Sequence, residues 1–411
     1  MNPIPLLIVE DSPVYAEILQ RLLPTLGADL KFAAQWVDTA ERALEEIHRT
    51  AYELVLLDYK LPGADGLAVL THIRSMPPDR QPAVIMLTGM GREEIAVEAM
   101  KSGAKDYLPK DCLDVPSLLR AITSALERKR LEEQLARYTE ELHQKNAQMQ
   151  ADLNLAREIQ EAFLPHEYPS FPANVAPKES ALRFYHRYHP TSEVGGDFFD
   201  VLALSDTEAG VFVCDVMGHG VRAALVTAIV RALVEDLKPK AGDAGQFLTA
   251  INRGIVSILK QTRLPMFVSA FYLVADVGRG ELRFANAGHP GPLHVKRHLG
   301  IAELLRADDF RPGPALGVFD DSTYPAATRP LAAQDMVMLF TDGLFEVDGR
   351  NDEQFGQDRL LESVRARVGR PSQEIFDGLL ADVQQFTAGK GFVDDVCLVG
   401  VEATRVGVTA T

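Results

Sequence analysis

Hydrophobic residues gather in short runs along the first part of the chain, each bounded by polar turns and followed by a stretch of helical spacing. "PLLIVED" precedes "VYAEILQRLL", "LKFAAQWV" precedes "TAERALEEIH", and "YELVLLDY", "PAVIMLTG" and "AKDYLPK" keep the rhythm through residue 127. Buried runs alternating with amphipathic ones predict a parallel sheet covered by helices, a doubly wound, flavodoxin-like α/β domain over residues 1–127. From Arg128 to Phe163 the pattern changes: neither Pro nor Gly interrupts "RKRLEEQLARYTEELHQKNAQMQADLNLAREIQEAF", which reads as one helix. A heptad frame places Leu131, Leu135, Tyr138, Leu142, Met149, Ala156, Ile159 and Phe163 on one seam, with Lys145 and Asp152 as polar exceptions. Such a helix is roughly 50 Å long, and its apolar stripe requires a partner. A parallel coiled coil in a homodimer, through residues 128–164, is the preferred solution; a helix folded back on its own domains is the other.

Pro165 and the Pro-rich "LPHEYPSFPANVAPK" open a third region, residues 165–404, ahead of a tail at 405–411. Here "LRFYHRYHPTSEVGGDFFDVLAL" leads into a strand, and "VFVCDVMGHGVRAALVTAIVRALVED" reads as a buried strand, a glycine-bearing turn and an amphipathic helix. "MFVSAFYLVADVGRGELRFANAGHPGPLHV" predicts an antiparallel hairpin turned at Gly278 to Gly280. Apolar strands also carry "MVMLFTDGLFEV" and "GFVDDVCLVGVE". The expectation is an α+β domain.

The length of 411 residues suits two to three domains, and a net charge of −16 argues against non-specific binding to nucleic acid or acidic membranes. "MNPIPLLIVEDSP" has no basic n-region and too short an apolar run for a signal peptide or span, so a cytoplasmic protein is expected. Cys112, Cys214 and Cys397 are far apart in sequence and form no C-x-x-C pair, and are read as small core hydrophobes.

The carboxyl ends of the first domain's strands carry Glu10 and Asp11, Asp58, Thr88 and Lys110. Taken singly, a strand-end Asp caps a helix and a lone Lys is solvated surface. Together the acids converge on the ligand-binding edge of such a sheet, where a hard divalent cation relieves their repulsion. The acidic pair, "LLDYKLPG", "MLTG" and "YLPK" closely resemble response-regulator receiver domains. That resemblance implies that Asp58 accepts phosphate from a sensor histidine kinase or phosphotransfer protein. It also implies that Glu10, Asp11, Asp58 and the Lys60 carbonyl hold Mg²⁺, and that Thr88 and Lys110 bind the phosphoryl oxygens. Tyr107 stands where the family keeps a switch aromatic, or is a core residue.

"EVGGDFFDV" is a near miss of the Gly-Gly-Asp-Glu-Phe signature of diguanylate cyclases, but Phe198 stands where that chemistry needs a second acid. The ordered set Gly-Gly-Asp, Asp-Val-x-Gly-His-Gly, Thr-Asp-Gly-Leu-x-Glu and Asp-Asp resembles instead the PPM-type, stage-II-sporulation-E-like Ser/Thr protein phosphatases. The resemblance implies two stacked antiparallel sheets flanked by helices, with two Mn²⁺ or Mg²⁺ ions at one end. Asp215 would bridge the ions, Asp197 and the Val216 carbonyl would hold one, and Asp342 with Asp394 the other; these four aspartates form the implied catalytic set. In the acidic pair Asp394 is favoured over Asp395, both remaining candidate ligands. Cys397 replaces a usual Thr, and His219 and His289 are either an acid or ligand or supports of the local turn. Two bound cations would generate a nucleophilic hydroxide and offset phosphate charge.

The resemblance further implies a phosphorylated anti-sigma factor antagonist as substrate, without direct contact to DNA. A non-catalytic adaptor or sequestering protein is the competing reading, distinguished by the integrity of the metal ligands.

Overall fold

A computed structural model describes residues 3–27, 30–89, 93–260, 266–307, 310–350 and 353–408 of the chain, so the end of the expected tail, 409–411, lies outside the described residues. Two compact units are present, Met1–Gln148 and Met149–Thr411.

In the first unit, β1 (Ile4–Val9), β2 (Phe32–Val37), β3 (Leu54–Asp58), β4 (Ala83–Thr88) and β5 (Asp106–Pro109) form a parallel sheet of order β2-β1-β3-β4-β5. The helices are α1 (Pro13–Leu22), α2 (Ala40–Arg49), α3 (Gly66–Arg74), α4 (Glu93–Lys101) and α5 (Val115–Glu161). Successive strand residues face opposite ways, so each strand feeds two cores. Leu7, Val9, Val55, Leu57, Val84 and Met86 pack with residues of α2 and α3 on one face, while Leu6, Ile8, Leu56 and Ile85 pack with Leu19 of α1 and Leu118 and Ile122 of α5 on the other. Burial on both faces explains why "LVLLD" is continuous rather than alternating. The α/β expectation holds.

The helix expected from Arg128 begins already at Val115 and ends at Glu161. "ALERKRL" contains only good helix formers, so nothing separates the receiver-like domain's last helix from the connector. Near its start the connector is tied to the residue ahead of β5: Arg128 donates to the Lys105 carbonyl at 3.1 Å, and Lys105 pairs with Glu132. Leu131, Leu135, Tyr138, Leu142, Met149 and Ile159 are each more than half exposed. Phe163 departs from the seam: it lies beyond the helix and packs on the second unit's core.

The second unit contains two antiparallel sheets. One has the order β13 (Ala327–Pro330), β10 (Glu281–Ala287), β9 (Val268–Asp276), β8 (Glu208–Val216), β7 (Phe198–Ala203). The other has the order β12 (Ile301–Leu304), β11 (Leu293–Lys296), β14 (Met336–Phe340), β15 (Val396–Ala403), β6 (Leu182–His189). Their facing sides share a core that includes Phe199, Val213, Phe271, Val337, Leu339 and Val399. On the outer faces, α6 (Val221–Asp236) and α7 (Ala244–Leu259) cover the first sheet, and α8 (Gly356–Arg365) and α9 (Ser372–Phe386) cover the second. The four layers match the expected two stacked sheets flanked by helices.

The stretch read as leading into one strand proves to be two, in different sheets: β6 pairs with β15, and β7 with β8. The segment between them, residues 190–197, crosses from sheet to sheet and carries the Gly-Gly-Asp. The predicted hairpin is β9–β10, with Gly280 in the left-handed region at φ 67°. Cys214 and Cys397 are buried as expected, but Cys112 is exposed, because it falls in the short turn after β5 rather than in a strand. Among the described residues, no helix is long and apolar enough to cross a membrane.

Candidate functional site

At the carboxyl edge of the parallel sheet, Glu10, Asp11 and Asp58 each place a carboxylate oxygen within 4.8 Å of the others. They line a cleft of about 410 Å³ with Lys60, Gly89 and Lys110. Lys110 Nζ reaches Asp58 at 2.9 Å and Glu10 at 2.7 Å. Burial pushes both acids above the ordinary carboxylate range, against the pull of Lys110. Burial alone would lower the Lys110 ammonium, but its bonds to Glu10 and Asp58 outweigh that and hold it above its ordinary value. Thr88 ends β4 and is buried, whereas Tyr107 is 43% exposed, which removes the core reading for it. Gly66 leaves no room for a side chain: a Cβ would stand 2.2 Å from the Asp58 carbonyl oxygen. The glycine of "GADG" therefore permits the close approach that seats Asp58.

In the second unit, Asp215 is the penultimate residue of β8, Asp342 follows β14, and Asp394 and Asp395 precede β15. Asp197 sits immediately before β7. These positions are the same end of both sheets, because β8 runs antiparallel to β7 and β14 antiparallel to β15. The carboxylates sense one another. Burial, then Asp342, Asp394, Asp395 and Glu346, lift Asp215 to about 7. Burial and Asp215 push buried Asp197 well above its ordinary value, and burial with Asp394 raises Asp342. No lysine or arginine is among the main contributors to any of the three. Acids raised chiefly by burial and by one another, with no lysine or arginine among the main influences in the described residues, are a donor set suited to hard divalent ions. Unlike Glu10, Asp11 and Asp58, no three of them among the described residues bring ligand oxygens within 4.8 Å of one another.

The structure separates the two members of the acidic pair. Asp395 Oδ1 accepts the Thr191 amide at 2.7 Å and the Thr191 hydroxyl at 3.1 Å, and Oδ2 accepts the Gly196 amide at 2.7 Å. Its carboxylate is committed to holding the 190–197 segment. Asp394 is exposed, and its Oδ1 accepts the Asp395 amide at 2.8 Å. Gly343 of "TDG" is pressed against the same turn, a Cβ there falling 2.1 Å from the Asp395 carbonyl oxygen.

The Thr-Asp-Gly-Leu-x-Glu motif includes Thr341 and Glu346 without indicating a role for either. Thr341 donates to Asp197 Oδ2 at 2.7 Å and accepts the Cys397 amide at 2.9 Å, so the hydrogen bonding at Cys397 runs through its backbone and tolerates the thiol. Glu346, the last letter of the Thr-Asp-Gly-Leu-x-Glu motif, joins the acidic field. His219 is exposed. His289 is buried, shares a 2.8 Å hydrogen bond with Ser269 through Nδ1, and is pushed by burial to about 3, hence neutral. Ser269 lies opposite Asp215 in the β8–β9 register, and Asn286 closes the "NAGHP" turn on the His289 backbone. Through Ser269, His289 is therefore hydrogen-bonded to the strand that pairs with the Asp215 strand.

Known proteins share both halves. Residues 6–123 match the response regulator receiver domain, and residues 205–404 match stage II sporulation protein E (SpoIIE), a match that begins just after the Asp197 turn. Protein IcfG of Synechocystis sp. is 25% identical over 274 residues, 61% of this chain and 41% of that one. Phosphoserine phosphatase RsbP of Bacillus subtilis is 23% identical over 216 residues, 52% of this chain and 51% of that one. The chain therefore spans about two fifths to half the length of these relatives. Among solved structures, the SiaA-PP2C domain of Pseudomonas aeruginosa aligns with 63% of this chain and 98% of its own at a TM-score of 0.53 and 24% identity, a likeness of fold. The chain thus joins a segment that matches the response regulator receiver domain, residues 6–123, to one that matches stage II sporulation protein E, residues 205–404, with a fold like that of the SiaA-PP2C domain.

Proposed function

We propose that the protein is a two-component response regulator whose output is a metal-dependent protein serine/threonine phosphatase. One observation carries the reading: at one end of the two sheets, burial and neighbouring carboxylates raise Asp197, Asp215 and Asp342, with Asp394 contributing to the rise of Asp215 and Asp342, although the four come from separate places in the chain. Asp215 would bridge two Mn²⁺ or Mg²⁺ ions, with Asp197 and the Val216 carbonyl on one side and Asp342 and Asp394 on the other. Bound there, the ions would supply a hydroxide nucleophile and neutralise phosphate charge. The protein's own part is to fix the acids: Thr341 orients Asp197, and Asp395 holds the turn that precedes it. Intact ligands favour an enzyme over a sequestering adaptor.

RsbP and RsbU of Bacillus subtilis bear the name phosphoserine phosphatase, which supports a phosphoserine or phosphothreonine substrate here. An anti-sigma factor antagonist is the substrate proposed, with a sensor histidine kinase acting on Asp58 with Mg²⁺, and a homodimer formed along the exposed seam of residues 128–164. Phosphate on Asp58 adds charge beside Lys110, which follows β5 directly, and the connector is anchored at Lys105, just ahead of that strand. At its far end, Phe163 lies under Arg231 of α6, 4.9 Å from the guanidinium carbon.

The test is hydrolysis of a generic aryl phosphate with Mn²⁺, before and after treatment with acetyl phosphate. The expected result is turnover that depends on Mn²⁺ and changes at least severalfold on treatment, with Asp58→Ala active but unresponsive. Equal rates for treated and untreated wild-type protein would remove the coupling, and no turnover under either condition would favour the adaptor.

A further inference from the structure

The last turns of the connector grip the Asp197 turn. Gln160, buried at the end of α5, donates from Nε2 to the Gly195 carbonyl at 2.7 Å and accepts the Gly195 amide on Oε1 at 2.9 Å. Three residues earlier on the same helix face, Arg157 donates from Nε to the Glu193 carbonyl at 2.8 Å and from Nη2 to the Ser192 carbonyl at 3.5 Å. Gly195 has no space for a side chain there, since a Cβ would stand 2.6 Å from Asp395 Oδ2 and 2.7 Å from the Tyr188 hydroxyl. The next residue, Gly196, donates to Asp395 and accepts from the Thr227 hydroxyl of α6 at 3.0 Å and from the Val216 amide at 3.3 Å. Its own Cβ would fall 2.8 Å from the Val216 carbonyl oxygen. Two glycines thus let the backbone before Asp197 lie between the connector on one side and Asp395, α6 and the Asp215 strand on the other.

We propose that Gln160 and Arg157 are positioning residues of the cation site, setting the place of Asp197 through the backbone of residues 192–195. This deepens, and rests on, the reading of Asp197 and Asp215 as metal ligands. Gln160 satisfies both polar groups of one peptide residue two positions before Asp197, so displacement of the helix end moves that peptide or leaves it buried and unpaired. Asp197 is itself buried and fixed at its far oxygen by Thr341, so it has little freedom to compensate. A rotation or register shift in the connector then reaches a metal ligand directly, without first moving α6.

The experiment is calorimetric titration of the full chain with MnCl₂, in an Asp11→Asn background that silences the receiver's cation cleft. Gln160→Met, which keeps shape and removes both hydrogen bonds, is expected to weaken Mn²⁺ binding about tenfold, the usual effect of losing a group that orients a ligand. Arg157→Met is expected to act in the same direction, and amide exchange at residues 192–197 should quicken in both. Ser363→Ala, which removes a buried hydroxyl from a hydrogen-bond network in α8, serves as control and should bind as the parent does. Wild-type Mn²⁺ affinity in Gln160→Met and Arg157→Met, while Asp215→Asn abolishes binding, would overturn the positioning role and leave the metal site standing. Undiminished binding in Asp215→Asn would overturn the metal site itself. If Gln160→Met does not fold, Arg157→Met decides by the same criterion.

Discussion

Asparagine at position 215 is expected to cut Mn²⁺-dependent aryl phosphate hydrolysis at least roughly 10³-fold, about 4 kcal/mol of transition-state stabilisation, while making the metal-free protein more stable. The two effects have one cause. Asp215 is lifted to about 7 by burial and by Asp342, Asp394, Asp395 and Glu346, so in the absence of metal its negative charge opposes the fold. An amide of the same shape removes that repulsion, and with it the anion that would bridge two cations. For a unit of this size each kcal/mol relieved raises the melting temperature by roughly 2–4 °C. A residue retained only to cap a turn would show the opposite: lower stability and little change in rate. Thermal unfolding in EDTA, alongside initial rates in Mn²⁺, separates the two.

The second large effect is a pH dependence that metal removes. A carboxyl whose folded value lies above its unfolded value favours the fold fully below the unfolded value, and that contribution is lost as pH rises through the folded one. For Asp215 the window runs from the ordinary 3.8 to about 7, and Asp197 and Asp342 are displaced in the same direction. In EDTA, the second unit's melting temperature should therefore fall steadily between pH 5 and pH 8. Saturating Mn²⁺ should raise it most at the upper end, where the acids are ionised and bind best. Glu10 and Asp58 shift likewise in the receiver, so the comparison with Asp215→Asn isolates the second unit, whose slope should flatten. A slope unchanged by Asp215→Asn would mean that the acids do not repel one another as the geometry requires.

The residues that sequence patterning exposed share a physical property: they end apolar runs. Asp58, Asp215 and Asp342 each terminate or follow a buried strand, so the run itself points at them. The alternating order of strands and helices likewise gave the receiver-like sheet. What patterning could not supply was partnership across long separations. Asp394 and Asp395 are adjacent and chemically identical, and only the contacts of Asp395 with Thr191 and Gly196, some 200 residues earlier, assign it to holding the turn. Gln160 is a polar residue in a polar helix, indistinguishable by composition from Gln144 or Gln148. The break between β6 and β7 was hidden because both are apolar enough to be strands, and the sheet each joins is set by β15 and β8 far downstream. The continuity of the connector with the helix from Val115 escapes patterning because continuous helix formers leave no mark where a domain ends.

Four distant acids in the second unit are proposed to hold a pair of cations. Anomalous scattering from crystals grown with MnCl₂, collected at the manganese edge, tests this most directly. Two peaks roughly 3.5–4 Å apart, with Asp215 between them and Asp197 and Asp342 on opposite sides, are the predicted result. Manganese found only beside Glu10, Asp11 and Asp58, with the second unit bare at saturating metal, would contradict it.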